Sequence, residues 1–174
     1  MKWRKLRGNG LEPELQLIMK NIIITFCCFS IICSAAGQTA QMVQDSQNIQ
    51  ALLDAMSKAW NIHDARAYCM AFSEEADFTN TLGMSVYGRD SIQKNHEMSF
   101  ATVFKNSSLK ITGKKIRYIT NDLLAVDAWW EMTGIKASDG KDIPLRKGLA
   151  NLLMTRNDKQ WLILIMHNMN LPGS

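Results

Sequence analysis

The stretch Trp161–Asn170, WLILIMHNMN, decides how this chain is read: it alternates with the period of a strand, and its apolar run stops abruptly at a histidine and an asparagine. At period two, Trp161, Ile163, Ile165 and His167 share one face, and Leu162, Leu164, Met166 and Asn168 share the other. If the Trp161 face is interior, His167 continues it to the point where apolar filling gives way to a cavity. If the Leu162 face is interior, Asn168 takes that place and His167 is an exposed edge residue.

Working outward from this strand, the same period of two recurs at 108–119, 123–133 and 145–156, with 160–168 closing the series. Turn sequences separate these strands at Thr120-Asn121-Asp122, Ser138-Asp139-Gly140 and Asn157-Asp158-Lys159. Upstream the period becomes helical. Ile49, Leu52, Leu53, Met56 and Trp60 predict an amphipathic helix over 44–62, and Asp64 caps a second, shorter one through about Phe72, with Tyr68 and Phe72 as its ridge. Ala76–Thr81 reads as a strand turning at Leu82-Gly83 into a partner that ends at Tyr87. After Gly88 a third helix runs from Asp90 or Ser91 to about Phe104, with Ile92, His96, Phe100 and Phe104 facing inward. Three helices followed by most of a long sheet predict an α+β domain over 44–170: helices packed on a strongly curved, mixed or antiparallel sheet of about six strands.

The first 37 residues read as a leader. An apolar core at 22–32, IIITFCCFSII, follows Lys20 and precedes CSAAG, which is the pattern of a secretory signal. It is shorter than the roughly 20 residues a membrane span needs, so no membrane is expected for the mature chain, which is placed in the periplasm or outside the cell. Residues 38–46 are polar and read as a short tail. Five of the 20 Lys and Arg and two of the 16 Asp and Glu fall in the leader; the remainder has 15 basic and 14 acidic groups, a net charge of +1. With no basic stripe left, nucleic acid is excluded as a partner, and KITGKKIR (110–117) is the solvated face of a strand. Cys27, Cys28 and Cys33 lie in the leader. Cys69 is then alone, unable to form an internal disulfide, and reads as packing.

AWNIHDARAY (59–68), ADFTN…G…YGRDSI (76–92), His96 and the closing DKQWLILIMHN (158–168) together resemble the SnoaL-like and SgcJ/EcaC domains. Those belong to the nuclear transport factor 2-like superfamily, with ketosteroid isomerase and scytalone dehydratase among its relatives. The resemblance implies a cone whose helices close one side of a curved sheet around a blind pocket. It also implies a homodimer through the sheet's outer face. Such a fold does not by itself carry a function.

Function is sought where polar residues stand in apolar patterns, because an unpaired buried polar group costs roughly 1–3 kcal/mol. His96 takes the place of an aliphatic residue on the third helix, one turn from Ile92 and from Phe100, where a neutral imidazole can accept and donate a proton. Asp127 interrupts LLAVDAWW; it is either a desolvated general base or, with Glu131, an outward residue beside a Trp129 dimer contact. Asn151 interrupts GLANLLM, as a donor to a substrate carbonyl or as a sheet-face hydrogen bond. Trp60, Tyr68, Phe78 and Phe100 are candidate walls, and period two places Asn80 beside Phe78. His63 falls in an inter-helix loop and is expected to be solvated. GxGxxG, P-loop, GxSxG, HxH and HExxH patterns are all missing from the sequence, so neither cofactor nor metal is expected.

The expectation is therefore an exported, dimeric cone that binds a small, largely apolar or aromatic molecule. Its chemistry, if any, is cofactor-free proton transfer of the isomerase, dehydratase or cyclase type, with His96, Asp127 and His167 as catalytic candidates. The alternative is a non-catalytic association module whose cone is filled by Trp60, Phe100 and Met154, using Trp129 or Trp130 and Met132 on the outer face. An empty interior of roughly 300 Å3 or more reaching His96 separates the two.

Overall fold

The computed structural model describes residues 38–136, 140–158 and 160–172. The expected leader 1–37, with its apolar core at 22–32, lies outside the described residues, as do Ser138 and Asp139 of the expected turn. Residues 38–61 are helical, so the stretch 38–46 is helix and not a tail. Its composition accounts for this: it holds no Gly or Pro, and Gln41 donates to Asp45 one turn on at 3.0 Å.

A compact unit spans Ser46–Ser174; α1 denotes its helical stretch 46–61. Ile49, Leu53, Met56 and Trp60 of α1 are buried as the helical spacing predicts. Its end is tied to the sheet. Ser57 Oγ and Asn61 Nδ2 both donate to the Leu109 carbonyl, at 2.8 and 3.0 Å, and Asn61 Oδ1 accepts the Leu109 N–H at 2.7 Å. Asn61 thereby presents a strand-like partner to Leu109, and the helix stops there. Asp64 caps α2 (Ala65–Cys69) by accepting from the Ala67 N–H at 2.8 Å. The second helix is shorter than expected, because Phe72 already belongs to β1 (Phe72–Thr79) and pairs with Ile163.

β2 (Ser85–Tyr87) returns antiparallel to β1 and leads into α3 (Arg89–Ala101). Then come β3 (Ser108–Tyr118), β4 (Leu123–Thr133), a small hairpin of β5 (Ile135–Lys136) and β6 (Asp142–Ile143), β7 (Arg146–Asn157) and β8 (Gln160–Asn170). The main sheet has six strands in the order β2-β1-β8-β7-β4-β3. β3, β4, β7 and β8 pair antiparallel in turn, whereas β1 joins β8 in parallel, so of the two expected kinds of sheet this is the mixed one.

The inner face follows strict alternation along β4 (Leu124, Val126, Ala128, Trp130, Met132) and β7 (Gly148, Ala150, Leu152, Met154), all buried. β8 does not keep one alternation. Met154 pairs with Ile163 and Leu153 with Ile165, so Leu164 is an extra residue in a bulge. Trp161 and Ile163 point inward before it, Met166 and Asn168 after it. Neither single-face reading of WLILIMHNMN describes the strand.

Candidate functional site

The inner face and helices α1 and α3 enclose a cavity of about 400 Å3. Its origin lies in the small residues of the central strands. Ala128 and Ala150 are register partners, and Gly148 stands opposite Trp130, so the middle of the sheet brings little volume against α1 and α3. The Cε2–Cζ2 edge of the Trp130 indole lies on Gly148 so closely that a Cβ there would overlap it. The Trp130 Nε1 is buried without a hydrogen-bond partner among the described residues. Exposed lining residues, Leu82, Met84 and Val103, mark where the cavity opens. Trp60, Tyr68, Leu152 and Met166 line its buried part.

His96 is 3% exposed and also lines this cavity. Its ring stands among aromatic rings, with centroids 4.7 Å from Tyr68, 5.0 Å from Phe78, 5.9 Å from Phe100 and 6.1 Å from Trp60. Nδ1 lies 2.8 Å from the Ile92 carbonyl. A carbonyl only accepts, so Nδ1 carries the hydrogen and Nε2 of the neutral ring keeps a lone pair. Burial pushes the imidazole below its ordinary pKa of 6.5, and the Ile92 bond opposes that only in part. The ring is therefore neutral at pH 7. No Asp or Glu lines the cavity among the described residues, so His96 has no carboxylate to orient it or share its proton.

The neighbours are fixed by their own bonds. Trp60 Nε1 donates to Ser107 Oγ at 2.9 Å, and that hydroxyl donates to the Phe104 carbonyl at 2.8 Å. Burial pushes the Tyr68 phenol far above its ordinary value, so it stays protonated; its hydroxyl approaches Met166 Sδ at 4.0 Å, a weak contact. Asn80 Oδ1 accepts the N–H groups of Leu82 at 2.9 Å and Met84 at 3.0 Å, holding the β1–β2 turn and leaving its NH2 as the group to donate. Asn168 Nδ2 donates weakly to the Thr79 carbonyl at 3.5 Å, leaving Oδ1 to accept.

Of the residues singled out from the sequence, Trp60, Tyr68, Phe78, Asn80 and His96 line the cavity. Phe100 does not. It is core, packed edge-on against Trp60 at 5.0 Å and His63 at 5.3 Å. Asp127, Asn151 and His167 lie on the opposite face of the sheet. Asp127 and Asn151 are a cross-strand pair, with Asn151 Nδ2 donating to Asp127 Oδ1 at 2.5 Å. His167 is exposed beside Asn151 and Thr79, because the bulge at Leu164 turns it outward. Trp130 and Met132, considered for the outer face, are buried inside, and Trp129 alone of the three is outward. His63 is half-buried and not solvated: its Nε2 donates to the Phe104 carbonyl at 2.7 Å.

Cavity residues not singled out include Asn95 and Ser99, which flank His96 on α3, and Lys136 and Arg146 near the opening. Helical spacing carried a signal for Ser99, three residues after His96, and through it for Asn95, which stands four residues before Ser99. No periodicity marks the other two, which sit at element ends. Among the described residues no group of three or more His, Cys, Asp or Glu is placed to hold a metal ion.

No protein-family model matches the chain, and no curated protein does. Solved structures do. The chain is similar to a protein with a cystatin-like fold from Caulobacter vibrioides at 23% identity and TM-score 0.67, over 74% of this chain and 90% of that one. It is similar to a candidate scytalone dehydratase from Novosphingobium aromaticivorans at 16% identity and TM-score 0.66, over 76% and 88%. A nuclear transport factor 2-like protein of cystatin-like fold from the same species matches at 14% identity and TM-score 0.67, over 79% and 89%. At these identities the likeness establishes the architecture, a cystatin-like, nuclear transport factor 2-like cone, as the sequence motifs implied.

Proposed function

We propose that this protein binds a small, largely apolar molecule inside the cone, with His96 Nε2 as the one group poised to take a proton from it. The observation that carries this is the void of about 400 Å3 reaching a buried, neutral imidazole. A volume in that range suits a small organic ligand, and a filled association module would leave no such space. A base without a carboxylate partner suits a single proton removal or return next to a carbonyl, as in cofactor-free isomerisation, dehydration or cyclisation. Asn80 NH2, the Tyr68 hydroxyl and the Trp130 Nε1–H are among the donors available to a developing oxyanion.

The same proposal includes export, on the apolar leader core at 22–32, and a homodimer through the outer face of the sheet. There Trp129, Leu149, Leu153 and Leu162 are each only half-buried, apolar area that a second copy would cover. Native mass spectrometry of protein purified from its own host tests all three parts. The expected spectrum shows a dimer, an N-terminus beyond the leader and an organic adduct that is missing from Ala150→Phe, a variant whose ring fills the void. Bare protein in both samples, with no thermal shift from a panel of apolar ketones, would remove the binding proposal.

A further inference from the structure

Among the described residues two cations line the cavity, and they differ in how their charge is met. Lys136 is exposed and pairs with Asp142 at 3.0 Å. Arg146, the first residue of β7, is half-buried, and the described residues bring it no carboxylate. Its Nη2 donates to Thr81 Oγ1 at 3.3 Å and Asn170 Oδ1 at 2.6 Å, both neutral oxygens. A guanidinium carries five N–H donors in a planar fork, so Nε–H and the two Nη1 hydrogens remain for another partner. Burial holds its pKa below the ordinary arginine value, as expected of a cation that has lost water without gaining a counter-charge.

The rest of the lining sharpens what that partner is. Among the described residues it contains no acid, so none of them repels an anion there or competes for the guanidinium. The buried end offers only a neutral imidazole and aromatic rings, a poor environment for an ionised group. An anionic head therefore has one favourable position, at Arg146 beside Thr81, while the apolar body reaches towards Trp130 and Phe78.

We propose that the ligand is an amphiphile with a single carboxylate: its head accepts from Arg146, Lys136 adds a second, exposed cation, and its apolar body fills the cone. This rests on the binding proposal above and goes beyond it by fixing the charge class and the orientation of the ligand. A single carboxylate is favoured over a larger or more highly charged anion because Nη2 is already engaged and the remaining Nε–H and Nη1–H diverge, so they offer separate charge-assisted hydrogen bonds and not a paired fork.

Isothermal titration calorimetry at pH 7 with two pairs of probes that share a body tests it: octanoate against 1-octanol, and 2-naphthoate against 2-naphthalenemethanol. Each acid is expected to bind the wild-type protein at least roughly tenfold more tightly than its alcohol, the return on charge-assisted hydrogen bonds. Arg146→Gln is expected to erase that preference by weakening the acids while leaving the alcohols within about twofold, and the intact alcohol binding shows that the variant is folded. Arg146→Lys is expected to restore part of the preference, because the ammonium keeps the positive charge but offers it from a different position. Equal binding of acid and alcohol, or equal weakening of both by Arg146→Gln, overturns the carboxylate assignment and leaves the apolar pocket standing. Failure of all four probes to bind overturns both.

Discussion

The two faces of one sheet carry the same kinds of residue and do different things with them. Inside, Trp130 lies on Gly148, and the polar groups His96, Asn80 and Asn168 border a hollow. Outside, Trp129 lies beside Gly113, and Asp127, Asn151 and His167 form a polar cluster. Outside, the polar groups serve one another: Asp127 accepts from Asn151, and water reaches His167. Inside, His96 is bonded on one nitrogen only and cut off from water, so its second nitrogen is left for a ligand. A polar residue in an apolar strand is thus a candidate for function only when the face it occupies has space beside it.

The sharpest way to break this contrast is at the two glycines. Gly148→Ala drives a Cβ into the Trp130 indole, which must swing towards the hollow it borders, and is expected to cost about 1–3 kcal/mol in urea unfolding. Gly113→Ala meets only ordinary contact, 3.7 Å to the Trp129 ring, and is expected to change stability by no more than about 0.5 kcal/mol. Equal effects would mean that the faces are not packed as described.

The next largest difference concerns the hollow. Ala150→Phe is expected to weaken 2-naphthoate binding by about 100-fold or more with little loss of stability, since the added ring occupies existing space. Its outward neighbour, Asn151→Leu, is expected to leave binding within about twofold.

His96 gives a pH signature. Its folded pKa lies below its unfolded value of about 6.5, so the unfolded chain takes up the proton first. The stability that rests on a neutral ring is fully present above pH 6.5 and is lost as pH falls from there towards the depressed folded value. The groups packed against the ring are Trp60, Tyr68, Phe78 and Phe100, of which only Tyr68 titrates, and it stays protonated throughout this range. Melting temperatures from pH 5 to 8 should therefore fall less steeply on the acid side for His96→Gln than for the wild type.

The smallest effect is expected from the outer pair. A double-mutant cycle on Asp127→Ala and Asn151→Ala should give a coupling of about 1 kcal/mol, with ligand binding untouched.

Much of the fold was legible because period and punctuation are local. The alternations in β4 and β7, the stripe of α1 and the Asp64 cap all appear in the sequence as they do in the structure. The parallel pairing of β1 with β8 was not legible, because alternation says which side a residue faces and nothing about which strand lies beside it. The bulge at Leu164 was not legible either. One extra residue moves every later side chain to the other face, which placed His167 outside and Asn168 at the cavity. Within the site, helical spacing found His96 on α3, while Arg146 was missed because a cation at a strand's first residue looks like ordinary surface.

Nitrogen-detected NMR of the imidazole rings tests the central claim, that the working face is the hollow one, most directly. On addition of 2-naphthoate at pH 7, the His96 Nε2 resonance should move while His96 remains the neutral Nδ1–H tautomer, and the His167 resonances should stay where they are. Movement at His167 with His96 unchanged would place the ligand on the wrong side of the sheet and contradict the account.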